Sequence, residues 1–186
     1  MPPLRDILRS QYHAALAHLQ QAIDLCPRNL WTHAGQNQMP FWRVAYHTLY
    51  FTHLYLQHND HEFRPRDFHE TDIQYLDGYP SPPDIEDLCE HPHRPPQTGE
   101  PYTREQLQDY WTFCDPLVDQ QLNTMDLDRP DSGFSWYKLS KLEHQFINIR
   151  HIQHHSAQLA DRLREHANIG VNWVSAGASV RNASES

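Results

Sequence analysis

His151, His154 and His155 fall within barely more than one helical turn of the run INIRHIQHHSAQL, residues 147–159. Histidine is a middling helix former and wants a polar partner when buried, so three on one helix imply a task for each. Residues four apart stand one above the other, which lets His151 and His155 offer their rings to one ion. His154 lies about 100 degrees round the helix from His155 and suits a pocket edge or a helix contact instead. A pair is not yet a site, and a third ligand must come from another helix. His47 is the candidate, because it stands mid-way along the apolar run FWRVAYHTLYFTHLYLQH, where its desolvation has to be offset. The plainer alternative is a core histidine satisfied by a carbonyl or by a tyrosine such as Tyr46 or Tyr50. Taken together, His47, His151 and His155 make a three-histidine set, the usual recipe for zinc with a fourth position open to water or substrate. All-imidazole donors also suit nickel or ferrous iron.

His144, seven residues before His151, and Asn148 between them share the ligand face. With His154 and Tyr50 they are candidates to hydrogen-bond the ligands or line a pocket. A fourth protein ligand, from His144 or His58, would close the site and make it structural. Other chemistries fit less well. There is no H-E-x-x-H of a zinc peptidase, no G-x-S-x-G, P-loop or G-x-G-x-x-G, and no two E-x-x-H motifs of the kind a di-iron bundle carries.

The elements that must position these residues read as four helices. Leu4, Leu8, Ala15, Leu19 and Ala22, with Ile7, Leu16 and Ile23 alongside, follow helical spacing up to Cys26, and Pro27 stops the run. After the polar turn THAGQNQ, Pro40 opens the second helix, apolar over most of its circumference and therefore central. Residues 59–101 hold most of the prolines and many acids, which defeats continuous helix. This excursion has room for a short helix around Ile85 to Cys89 and is read as a lid, an oligomer contact or a surface insertion. Thr103 begins T-R-E-Q, a capping box, and opens a third helix whose Leu107, Tyr110, Trp111, Cys114, Leu117, Val118 and Leu122 recur at three and four. The fourth helix starts between Ser135 and Leu142 and runs to about His166, with Leu139, Leu142, Phe146, Ile149, Ile152, Leu159 and Leu163 expected inward. The fold class predicted is all-α: a four-helix bundle over 1–170 with a long crossover between the second and third helices, then a tail, 171–186, anchored by Trp173.

Composition sets the outer bounds. The chain has 186 residues, enough for one domain with a real core, and its five Trp, nine Tyr and seven Phe make that core aromatic-rich. A formal net charge of -9 argues against a phosphate-backbone binder, so no nucleic acid is expected. Cys26, Cys89 and Cys114 form no C-x-x-C and no even framework, which fits a reducing compartment. The charged start MPPLRDILRSQ is no signal peptide and no run spans a membrane, so a cytoplasmic protein is expected and the N-A-S at Asn182 is a chance match. Aromatic helices and a long excursion offer more apolar surface than so small a bundle easily buries, which predicts a homodimer.

The stretches PFWRVAYHTLYFTHLYL and NIRHIQHHSAQLADRLRE resemble the DinB-like superfamily, across nearly the whole chain. The resemblance implies a four-helix bundle whose metal is held by one histidine of the second helix and the H-x-x-x-H pair of the last, here His47, His151 and His155. The run H-x-x-H-H-x-x-Q-L, ending at Gln158 and Leu159, carries the more specific half. Relatives with known activity are metal-dependent transferases of low-molecular-weight thiols, which implies a small-molecule substrate and such a thiol as partners. The long proline-rich excursion departs from the family pattern. A metal-dependent hydrolase, and a bundle that only binds metal or senses a ligand, remain as alternatives.

Overall fold

The computed structural model describes residues 3–34, 39–76 and 99–178. Among them every regular element is helical: α1 (Leu4–Leu25), a four-residue α2 (Arg28–Trp31), α3 (Phe41–Leu56), a 3-10 turn (Asp60–Glu62), α4 (Arg104–Thr124) and α5 (Lys141–Ala167). The boundaries follow local chemistry. Thr103 caps α4 by accepting from the Gln106 amide at 3.2 Å, while Gln106 Oε1 accepts from the Thr103 amide at 2.8 Å. Ser140 caps α5, and Asn168 ends it in the left-handed conformation at φ 55°. Pro40 stands as the N-cap of α3, just outside the first turn where the sequence predicts it. The Ile85 to Cys89 helix, part of the THAGQNQ turn, and the tail beyond 178 lie outside the described residues.

Each long helix packs against two others: α1 on α4 and α5, and α3 on α4 and α5. Their directions follow from the contacts. Tyr12 meets Gln145 and His18 meets Gln153, so α1 and α5 run the same way. Tyr46 meets Tyr110 and His53 meets Phe113, so α3 and α4 also run together, and opposite to the first pair. A chain that leaves α3 and enters a parallel α4 must travel back the length of α3, about 24 Å at 1.5 Å per residue. This is why the connection is long. Its described part, residues 59–76, is neither a loose insertion nor a bare tether: Phe63 packs on Tyr50 and His53, Phe68 on Tyr46 and Tyr110, and Arg66 over Phe113.

Two expectations about packing fail. Phe146 is 47% exposed, Leu142 and Ile149 are only half-buried and Leu139 precedes the helix, because the first half of α5 turns Lys141, His144, Gln145 and Asn148 inward instead. Lys141 donates to the carbonyls of Gln57 (3.3 Å) and His58 (2.9 Å), closing the C-terminus of α3, and burial lowers its pKa to about 8. Trp173 is 74% exposed and meets only the His18 ring at 6.3 Å, so it does not anchor the tail. Backbone contacts do that work: the Ser175 carbonyl accepts from Gln11, and the Gly177 amide donates to Ser10. No helix among the described residues is long and apolar enough to cross a membrane.

Candidate metal centre

The three histidines singled out by spacing come together at the α3–α5 seam. One ring nitrogen from each of His47, His151 and His155 lies within 4.8 Å of the other two. Ring centroids form a near-equilateral triangle of 4.9, 4.6 and 4.6 Å, and His47 Nε2 stands 2.9 Å from His151 Nε2. Nitrogens sharing one ion at roughly 2.0–2.1 Å are spaced about 3 to 3.5 Å apart; the His47–His151 pair is close to that separation, and a His155 nitrogen lies within 4.8 Å of both.

His47 owes its position to an exception in its helix. Every other residue of α3 is buried, whereas His47 is half-exposed at the seam edge. The sequence asks that its desolvation in an apolar helix be offset; the structure leaves the ring partly buried and gives it a carbonyl partner. Its Nδ1 lies 2.6 Å from the Gln74 carbonyl, an obligate acceptor, so Nδ1 carries the proton and the Nε2 lone pair is directed at His151. His155 is treated similarly: its Nδ1 meets Gln158 Oε1 at 2.8 Å, while Gln158 Nε2 donates to His154 Nε2 at 3.1 Å. His155 is 9% exposed, and burial, aided by the charge of Arg162 and by His154, outweighs the Gln158 hydrogen bond and lowers its pKa to about 4. It is therefore neutral at neutral pH, the state that ligates. Phe51, one turn after His47, walls the site with its ring 4.7 Å from His47 and 5.7 Å from His151.

The other candidates separate. His154 is exposed, with its ring 4.9 Å from His155 and its Nε2 accepting from Gln158, and it is not one of the three residues whose nitrogens cluster. His144 is enclosed by Tyr55, Phe134 and Tyr137 at 4.7 to 5.0 Å, with Tyr55 reaching toward His151 (6.5 Å) from its other side. Asn148 donates to the Thr52 carbonyl at 3.4 Å and bonds Tyr12, within a buried polar layer that Gln145 extends. Tyr50 faces the crossover, with its ring on Phe63 and His69. His144 and Asn148 thus belong to the buried layer beside the seam, and Tyr50 packs on the crossover and on Phe51. His58 meets Thr124 at 3.3 Å, at the far end of α3. Among the described residues no further His, Cys, Asp or Glu joins the three.

Sequence reasoning missed the partners Gln74 and Phe51. A carbonyl leaves no mark on residue type, so Gln74 could not be found that way; Phe51, at i+4 from His47, could have been. Gln158 stood inside the quoted motif without a role. Three imidazoles, two with their second nitrogens committed to protein oxygens, fit a divalent ion of the zinc, nickel or iron class. No family model, curated protein or solved structure matches this chain.

Proposed function

We propose that the chain is a DinB-like four-helix bundle and a divalent-metal enzyme that transfers a low-molecular-weight thiol to an electrophilic small molecule. The convergence of His47, His151 and His155 with His47 at an open edge carries this reading. An ion held there would lower the pKa of a thiol or water brought to it. The histidines would hold the ion, the Gln74 and Gln158 oxygens would orient two of the rings, and Phe51 would shield one side. Neither described cysteine offers that thiol. Burial raises the Cys26 thiol to about 12 and pushes Cys114 higher still, so neither supplies thiolate near neutral pH.

Metal analysis of the purified protein, followed by turnover assays pairing several thiols with several electrophiles, tests the proposal. Stoichiometric metal and thiol-dependent product formation, both lost in His151→Ala, are expected. Ester or amide cleavage without thiol would make it a hydrolase. Bound metal with no turnover would point to a bracing or ligand-sensing bundle, and absence of metal would remove the whole reading.

A further inference from the structure

The crossover supplies one of the contacts that define the centre, through the Gln74 carbonyl on His47 Nδ1 at 2.6 Å. That carbonyl is held in place by the packing of its own turn. Residues 71–74 form a turn in which Asp72 takes the left-handed conformation at φ 64°, where side chains other than glycine are uncommon. The residue between Asp72 and Gln74 is Ile73, 1% exposed and part of the main core. On its other side the packing is tight: a Cβ at Gly99 would stand 2.6 Å from Ile73 Cδ1 and 2.8 Å from Glu70 Oε2. The preceding residues are pinned as well. The Glu70 amide donates to Tyr102 Oη at 3.0 Å, and Tyr46 Oη lies 2.6 Å from His69 Nδ1. Tyr46 is one residue before His47, so the segment grips the same turn of α3 that carries the ligand.

We propose that residues 69–76 of the crossover are a metal-linked clamp in which Ile73 is a positioning residue: by seating the turn in the core it keeps the Gln74 carbonyl on His47 and the His47 Nε2 lone pair on the ion. The inference rests on the metal reading above. Its content is a coupling between two events. If the clamp favours the tautomer and orientation that bind metal, then metal must favour the closed clamp by the same factor. Partners that orient a ligand imidazole are worth about 10- to 100-fold in metal affinity, which sets the size of the effect.

The test uses the full chain and zinc(II) alone as probe. Zinc affinity is measured by competition with a chromophoric chelator for the wild type, Ile73→Ala, Ile73→Val and Leu19→Ala. Leu19 is a fully buried α1 residue that serves as a control for lost core packing. Ile73→Ala is expected to weaken zinc about tenfold, Ile73→Val to restore most of it, and Leu19→Ala to lower the unfolding midpoint while leaving affinity unchanged. In parallel, hydrogen exchange of the 69–76 amides should slow by a similar factor when zinc is added to wild type, and not when it is added to His47→Ala. Wild-type affinity in a folded Ile73→Ala, or exchange at 69–76 indifferent to zinc in a wild type that binds it, overturns the clamp while sparing the metal site. A wild type that binds no zinc, nickel or iron overturns both. Should Ile73→Ala not fold, the exchange comparison in wild type decides alone.

Discussion

Two buried histidine clusters occupy opposite seams of this molecule, and their neighbours give them opposite chemistry. At the α3–α5 seam His47 and His155 meet amide oxygens, and His155 is held neutral with a pKa near 4 by burial. At the α1–α4 seam His13 is 3% exposed with Nδ1 at 2.7 Å from Asp115, itself 3% exposed, and Nε2 at 3.3 Å from Asp119. Burial alone would lower the His13 pKa, but the hydrogen bonds and charges of Asp115 and Asp119 outweigh it and raise the value. Arg9 extends that network by an ion pair to Asp119 at 3.5 Å. Burial alone therefore does not decide what a histidine does. A carbonyl partner leaves a lone pair for a metal, whereas two carboxylates engage both nitrogens and favour the protonated ring.

The comparison breaks most sharply by mutation. His155→Ala should abolish stoichiometric metal binding with near-native helicity, because the core is carried by Leu, Ile, Tyr and Trp side chains elsewhere, whereas His13→Ala should leave metal content unchanged. Metal analysis and far-ultraviolet circular dichroism on both variants check this; loss of metal in His13→Ala would show the two seams to be coupled. Next in size, Asp115→Ala should destabilise the fold by about 3 kcal/mol, since it strands a buried charge. Urea unfolding measures it, and an effect under about 1 kcal/mol would mean that His13 is content as a neutral ring.

pH separates a further pair. The folded pKa of His13 is raised, so the stability it contributes is complete below about 6.5 and is lost as pH rises through the folded value. His53 is the reverse: buried against Phe63, Phe113 and Tyr110, its pKa is lowered to about 4 by burial and then by Arg66. Its contribution is present above about 6.5 and is lost as pH falls toward 4. Urea midpoints across pH 4 to 9 should therefore show a His13→Gln variant with a flattened alkaline limb and a His53→Gln variant with a flattened acid limb. The smallest expected difference lies within the centre itself. Gln158→Ala, which removes the His155 partner, should weaken metal about tenfold. His154→Ala removes only the far end of that chain and should weaken it by no more than about threefold. In competition titrations, loss of stoichiometric metal in His154→Ala, as in His155→Ala, would place His154 among the ligands.

The ligand set was legible in the sequence because an i, i+4 pair is a local geometric fact of any helix, and His151 and His155 needed nothing more to share a face. His47 was legible as an odd polar residue in an apolar helix whose desolvation calls for a partner, which the Gln74 carbonyl supplies. The boundaries of α4 could be read from T-R-E-Q because a capping box satisfies its own backbone amides. The inward face of α5 could not. Periodicity counts apolar residues, and the buried positions there are His144, Gln145 and Asn148, whose burial is tolerable only because partners such as Tyr12 and Thr52 arrive from other helices.

By itself, then, the sequence determined the helices, their ends, and which imidazoles could lie on one line, since these depend on residues a few positions apart. Tertiary structure decided the rest. The parallel course of α3 and α4 made the crossover run back along them and brought the Gln74 carbonyl to His47, 27 residues away along the chain. The packing of α1 on α4 raised the His13 pKa, by placing it against Asp115 102 residues later. Protonation and tautomer follow from the electrostatics of the partner, and partners so distant in sequence are chosen only when the helices pack.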